Sequence, residues 1–87
     1  MNEIMIKQTA SDDIRVLPFL FASCQERLMQ EGTVLAAFDE EEICGAVGMI
    51  PNGNMVEIIS LYVDEAYRGK KIGSRLLKEN KGQNLDE

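Results

Sequence analysis

The sequence predicts one mixed α/β domain of the α+β type over residues 1–87, with the element order β-α-β-β-β-α. Three observations favour this class. Apolar residues between positions 14 and 28 recur at steps of three and four, which is the spacing of one helix face. Several short apolar or alternating runs are bounded by Gly, Asn and Asp, as β-strands are. A basic, glycine-containing segment then leads into a second helical pattern.

The composition narrows the possible classes of function. The 87 residues are 45% hydrophobic and 28% charged, which is typical of a globular domain. The net charge of −6 argues against a general nucleic-acid or anionic-membrane binder. No apolar run approaches the roughly 20 residues of a membrane span, and the first residues lack the order of a signal peptide. We therefore expect a cytoplasmic domain without nucleic-acid or membrane partners.

The chain has no histidine and only two cysteines, Cys24 and Cys44. A Ser-His-Asp or Cys-His catalytic site and a histidine-ligated metal are therefore excluded within this chain. The two cysteines lack a metal-binding spacing and are too few for a disulfide framework. Cys24 lies on the apolar face of the helical pattern and Cys44 in a strand pattern, so we expect both to be small core residues and expect no metal site.

The first part of the chain is predicted to form a strand and a helical region. Residues 3–8 alternate polar and apolar, as a half-buried strand does. Ser11 is a suitable N-cap for a helical region from about residue 11 to 31, and Gly32 is suited to its C-terminal cap. Pro18 lies inside this pattern and should kink the helix or split it in two.

Three runs after the helix, at residues 33–38, 42–50 and 55–63, predict an antiparallel meander. The Asn52-Gly53 pair before the third run is a strong hairpin signal, because it tolerates positive φ. Both alternating faces of the third run are apolar, which is normal for a strand that is central or covered on both sides. One face holds Val56, Ile58 and Tyr62, and the other holds Ile59, Leu61 and Val63.

A short helix is predicted after this meander. Ile72, Leu76 and Leu77 give its apolar face, and Asn80 and Gly82 mark the region where it should end. The last five residues, 83–87, are expected to be frayed.

The segment before this helix reverses the sign of the chain's charge. Arg68, Lys70 and Lys71 place three positive charges within four residues, whereas the rest of the chain has six basic and 15 acidic side chains. Gly69 and Gly73 permit unusual backbone dihedrals or close approach to a ligand. Because free N–H groups at a helix N-terminus favour a phosphate, the pattern predicts an anion site. A solvated basic turn is an equally good interpretation, and the spacing is not that of a nucleotide P-loop.

Residues 56–77 resemble the acyl-CoA signature of the GNAT superfamily of N-acetyltransferases. In that family a hydrophobic strand leads to Tyr/Gln-Arg-Gly-x-Gly-Ile-Gly and an apolar helix, and this chain has Tyr67-Arg68-Gly69-Lys70-Lys71-Ile72-Gly73. The order β-α-β-β-β-α also matches the N-terminal part of the family's fold. The resemblance implies a CoA-binding loop before the last helix, acetyl-CoA as acyl donor, and transfer of the acetyl group to an amine that the sequence does not identify.

The resemblance also assigns roles to individual residues. Backbone groups of Leu61 and Val63 would pair with the pantetheine amides, as an added strand would. Backbone N–H groups of the loop, together with Ser74, would hold the diphosphate, and the side chains of Arg68 and Lys70 would add positive charge. The cofactor-binding residues implied in this way are Leu61, Tyr62, Val63, Arg68, Gly69, Lys70, Lys71, Ile72, Gly73 and Ser74.

Glu57 is the candidate catalytic residue, because several histone-acetylating members place a general base at this point of the strand. In line with Ile59, Leu61 and Val63, its carboxylate would be partly desolvated and so a better base. A carboxylate near the start of a strand, just past a turn, more often points to water. Tyr62 and Tyr67 could donate a proton, although a packed or rim-exposed phenol is the more common role.

The chain departs from the family pattern in two ways. Lys71 stands where the family usually has Gly, and the family continues with another strand, a helix and further strands that this chain lacks. The resemblance therefore implies half of an acetyltransferase or a shortened relative. The alternatives are a catalytically degenerate half-domain that binds CoA or dimerises, and an inactive truncated gene product. Because no later strand follows residues 55–63, we expect a homodimer joined at or near this strand.

Overall fold

The structure is a computed structural model that describes residues 3–84. The predicted fold class and element order are confirmed, since a four-stranded antiparallel sheet combines with two α-helices. The strands are β1 (Ile4–Thr9), β2 (Thr33–Asp39), β3 (Glu42–Asn52) and β4 (Met55–Val63), and the helices are α1 (Ala22–Glu31) and α2 (Ile72–Asn84).

The sheet has the order β1-β2-β3-β4, and every neighbouring pair is antiparallel. The two inner strands are buried along most of their length, because a hydrophobic cluster covers each face of the sheet. Ile72 and Leu76 of α2 belong to one cluster, and Leu28 of α1 belongs to the other. Among the described residues β4 lies at an edge of the sheet and its side chains join both clusters, so it is a strand covered on both faces rather than a central one.

The predicted helical region of residues 11–31 is split, as Pro18 suggested it would be. A 3₁₀ turn, Leu17–Phe19, contains the proline, and α1 begins only at Ala22. Pro18 has no N–H to continue a helical ladder, and Leu20 takes an extended backbone with φ −115° and ψ 137°. Ser11 therefore caps no helix, and that expectation is wrong. The N-cap of α1 is Phe21, whose N–H donates to Ser60 Oγ at 3.1 Å.

The C-terminal ends of the two α-helices can be compared with the predicted ones. Gly32 is the C-cap of α1, as predicted, and its N–H donates to Leu28 O at 2.8 Å. Helix α2 runs to Asn84, past the predicted end near Gly82, and residues 85–87 of the predicted frayed tail lie outside the described residues.

The hairpin between β3 and β4 turns one residue later than predicted. Asn52 pairs with Met55 as the last residue of its strand, so the central residues of the turn are Gly53 and Asn54. Gly53 has φ +65°, whereas Asn54 is not among the described residues with positive φ. A turn with positive φ at its first central residue only is of the II′ kind, which favours Gly at that place. The glycine, rather than the Asn-Gly pair, therefore sets the turn.

A β-bulge changes the phase of β4. Gly48 pairs with Ser60 and Met49 pairs with Ile58, so Ile59 is an extra residue without a partner across the strands. Because the side-chain alternation of a strand has a period of two, one extra residue exchanges the faces beyond it. The predicted division of β4 into faces is therefore wrong. Val56, Leu61 and Val63 pack in the cluster beneath α2, whereas Ile59 packs in the cluster beneath α1.

Candidate functional site

The loop between β4 and α2 contains two residues in the left-handed backbone region. A 3₁₀ turn, Glu65–Tyr67, begins the loop, and Asp64 Oδ1 caps it by accepting from the Ala66 N–H at 3.0 Å. Gly69 has φ +87° and Lys71 has φ +65°. Glycine takes such angles freely, whereas a residue with a Cβ is disfavoured there by about 1–2 kcal/mol. Lys71, the residue at which the chain departs from the family pattern, thus holds the backbone angle for which glycine would be best suited.

The first turn of α2 presents unpaired backbone donors. The Arg75 N–H donates to Lys71 O at 3.1 Å, which makes Lys71 the first residue to accept a helical hydrogen bond. The N–H groups of residues 71–74 therefore lie before the first helical bond. No backbone or side-chain acceptor for them is found within residues 3–78. Four such donors and the positive end of the helix dipole favour an anion at this point.

A surface cavity of about 340 Å³ opens at these donors. Seven of the ten residues predicted to bind the cofactor line it, whereas Leu61, Tyr62 and Lys70 do not. Tyr67 also lines the cavity and was not among the predicted binding residues, although its place directly before Arg68-Gly69 was a usable signal. The lining residues are Val63, Tyr67, Arg68, Gly69, Lys71, Ile72, Gly73 and Ser74.

The outer edge of β4 continues from this cavity. The Asp64 N–H donates to Cys44 O at 2.8 Å, so its backbone points toward β3. Because backbone groups alternate in direction along a strand, those of Val63 and Leu61 point to the open edge. Arg68 Nε already donates to Val63 O at 3.0 Å, and the guanidinium carbon lies 5.3 Å from the centre of the Tyr62 ring. The edge thus offers the backbone groups of Leu61 and Val63, but Val63 O already accepts a hydrogen bond from Arg68.

Glu57 does not lie where the sequence placed it. It pairs with Ile50, a residue of the cluster beneath α1, because the bulge lies between Glu57 and Leu61. Its side chain is 52% exposed, and its Oε1 atom lies 3.6 Å from Arg27 Nη2 on α1. The expected alignment with Leu61 and Val63 and the expected desolvation are therefore wrong. The role of Glu57 as a base stays a prediction.

A hydrogen bond fastens the loop to the sheet. Tyr67 Oη donates to Asp39 Oδ2 at 2.7 Å, across 28 residues of the chain, at the end of β2. The acceptor carboxylate favours the neutral phenol, which raises the pKa of Tyr67 to about 12. Asp39 Oδ1 is buried and has no partner among the described residues. The bond thus fixes the position of Tyr67, two residues before Gly69, where the positive-φ part of the loop begins.

Cys44 packs in the core, as predicted, whereas Cys24 is only partly buried and packs against the cluster beneath α1. Cys24 Sγ donates to Ile59 O at 3.3 Å, and Cys44 is fully buried and donates to Ala37 O at 3.5 Å. Burial raises the pKa of the Cys44 thiol, which disfavours the thiolate needed for nucleophilic attack. Within residues 3–84 no group of three or more potential metal ligands comes together, and no helix is long and apolar enough to cross a membrane.

A sequence model described as the acetyltransferase (GNAT) family matches residues 3–80 of the chain. Among solved structures, IAA acetyltransferase from Bacillus cereus is similar to this chain with a TM-score of 0.79 at 18% identity. A GNAT family acetyltransferase from Elizabethkingia anophelis with acetyl-CoA bound gives 0.76 at 20%, and an N-acetyltransferase from Thermoplasma acidophilum in complex with coenzyme A gives 0.71 at 18%. At these identities the structural similarity shows a shared fold. No curated protein sequence matches the chain.

The chain is shorter than these similar structures. The similarity to the Bacillus and Elizabethkingia proteins covers 94% and 95% of this chain but 58% of each of theirs. The corresponding shares for the Thermoplasma protein are 94% and 72%. The chain thus corresponds to somewhat more than half of such a protein.

The bond between Tyr67 and Asp39 predicts a measurable titration. The chain has two tyrosines and no tryptophan, so in Tyr62→Phe the phenolate absorbance reports Tyr67 alone. Its pKa should be near 12, and adding Asp39→Asn should return it toward 10.0. Since the folded pKa is raised, the stabilising contribution of the bond should be complete below pH 10.0 and lost as the pH rises toward 12. An unchanged titration in the double variant would contradict the bond.

Proposed function

The chain belongs to the GNAT acetyltransferase family, and we propose that it binds acetyl-CoA at the loop before α2 and transfers the acetyl group to an amine. The observation that carries this proposal is the set of unpaired N–H groups of residues 71–74, which faces the cavity beside the basic loop. Related folds with acetyl-CoA or coenzyme A bound, from Elizabethkingia anophelis and Thermoplasma acidophilum, support the choice of ligand.

We assign the diphosphate to the N-terminus of α2. The N–H groups of Lys71, Ile72, Gly73 and Ser74 supply donors, and Gly73 leaves the approach open. The nearest atom to a Cβ built on Gly73 is Val63 Cγ2, at 3.8 Å, so the space next to its backbone is free. The side chain of Lys70 would add positive charge from outside the cavity. In a chain with net charge −6, this local reversal of charge attracts an anion that the remaining surface repels.

We assign the pantetheine arm to the outer edge of β4. An extended arm with amide groups can pair with a strand edge in the way that an added strand does. The backbone groups of Leu61 and Val63 are the free positions there, and Tyr62 between them faces the side of α1. The bound cofactor would thus extend from the first turn of α2 along the edge of β4 toward Glu57.

The chemistry is a direct transfer between two substrates. Acetyl-CoA supplies the acetyl group as a thioester, and the amine nitrogen forms a bond to the acetyl carbon while the bond from that carbon to sulfur breaks. The nitrogen loses one proton, which Glu57 accepts, and CoA leaves as a thiol after taking up one proton from water. Edge N–H groups of β4 would polarise the carbonyl oxygen, where negative charge develops. The chain needs no covalent intermediate of its own in this scheme.

The alternative function is binding without turnover. The chain spans 58% of the length of two similar structures. In this alternative the chain binds CoA, or a second copy of itself, and no acetyl group is transferred. The exposed carboxylate of Glu57 would then serve only the ion pair with Arg27.

Calorimetry with CoA tests the binding proposal. CoA should bind the chain with an affinity that falls as the salt concentration rises, because charges contribute to it. Gly73→Val should weaken binding by about tenfold or more, since its branched side chain would fill the approach to the diphosphate. Gly73→Ala is the matched control, because the added Cβ meets only an ordinary contact at 3.8 Å. Absence of CoA binding by the unmodified chain at millimolar concentration would contradict the proposal.

Thiol release with a broad panel of amines tests the transfer step. Glu57→Gln should lower the rate by about 10²–10⁴-fold while leaving CoA affinity unchanged, since a lost proton acceptor costs about that much. Glu31→Gln is the matched control, because Glu31 contacts the same Arg27 at 3.2 Å on the exposed face of α1. If the unmodified chain binds CoA and releases no thiol with any amine, the alternative function is correct.

The homodimer joined at β4 stays a prediction. In it, a second copy of this chain would pair with the open edge of β4. The edge of β4 is unpaired within the described sheet, and Met55 and Ile58 on this strand are 71% and 37% exposed. The pantetheine arm and a second copy would compete for Leu61 and Val63. Sedimentation at tens of micromolar should therefore show a dimer that CoA weakens, whereas a monomer's mass without CoA would contradict the dimer.

A further inference from the structure

The side chain of Arg68 occupies a backbone acceptor that the proposed cofactor site needs. Its Nε donates to Val63 O at 3.0 Å, and Val63 O is one of the edge groups assigned to the pantetheine arm. The guanidinium also lies against the Tyr62 ring, with 5.3 Å from its central carbon to the ring centre. In the free chain, therefore, the arginine covers the strand edge at the point where the cavity begins.

We propose that Arg68 is a specificity-determining residue that makes the site select thioesters carrying a diphosphate over pantetheine thioesters without one. This inference rests on the proposed function. An amide of the arm can reach Val63 O only when the arginine leaves it. A ligand with a diphosphate draws the arginine away, because a phosphate is a stronger partner for a guanidinium than a backbone carbonyl is.

The Arg68 side chain therefore weakens the binding of pantetheine and strengthens the binding of CoA. Pantetheine must break the bond from Arg68 to Val63 O and the contact with Tyr62, and it offers the guanidinium no anion in return. CoA breaks the same contacts and offers its diphosphate, which the proposed site places beside the cavity that Arg68 lines. The bond is exposed to solvent, so its release is easy when a better partner is present. Discrimination follows from this exchange without any contact that excludes pantetheine by size.

Binding of CoA and of pantetheine to Arg68→Ala tests the proposal. Pantetheine affinity should rise roughly threefold, since an exposed hydrogen bond no longer competes for Val63 O. CoA affinity should fall roughly threefold, because loss of the charged contact outweighs the freed acceptor. Arg68→Lys, which keeps the charge, should restore CoA affinity at least in part. Thermal melts of each variant verify that the fold is retained.

Arg75→Ala is the matched control for charge. It removes one cation from the first turn of α2, and its side chain has no contact with Val63 O among the described residues. This substitution should lower the affinity for CoA slightly and leave the affinity for pantetheine unchanged. If Arg68→Ala weakens both ligands, or behaves as Arg75→Ala does, the selectivity role is wrong while the CoA site stands. If the unmodified chain binds neither ligand, the proposed function fails and the role of Arg68 fails with it.

Discussion

The extra residue in β4 opposite Gly48 is the constraint on which the site depends. Without this bulge, Glu57, Leu61 and Val63 would share one face of the strand. With it, Leu61 and Val63 lie beneath α2, and Glu57 turns toward α1. The same segment buries Ser60, whose hydroxyl accepts the Phe21 N–H and so fixes where α1 begins. A single register shift thus orients both helices relative to the strand edge.

Close packing of α1 at Gly48 supports this arrangement. A Cβ built at Gly48 would lie 2.6 Å from Leu28 Cδ1, so any other residue there would force the Leu28 side chain to shift. Leu28 is fully buried there. On the opposite face, Ile72 and Leu76 of α2 close the other cluster, which sets the height of the first turn of α2 above the strand. The packing of two apolar faces therefore positions the unpaired donors of residues 71–74, although none of those donors takes part in it.

Much of the fold, and part of the site, could be predicted from the sequence. Periodicity located the strands, and Pro18 located the break of the helical region because its missing N–H acts locally. Gly32 marked the end of α1, although its backbone there is extended, with φ −109°. The sequence could not place Glu57, since its face depends on a bulge defined only by pairing between two strands. Neither could it find the bond between Tyr67 and Asp39, whose partners are 28 residues apart. Local backbone preferences can be predicted from a single segment of the chain, whereas strand register and long-range hydrogen bonds cannot.

Amide-resolved NMR during a titration with CoA tests the proposed site most directly, because the groups assigned to the diphosphate are backbone N–H groups at the start of α2. We expect the largest shifts on Ile72, Gly73 and Ser74, with smaller ones on Leu61 and Val63 along the strand edge. Resonances of the acidic turn at residues 40–42 should stay unchanged, since that surface repels the anion. Shifts centred on the acidic turn, or none in the first turn of α2 at saturating CoA, would contradict the account.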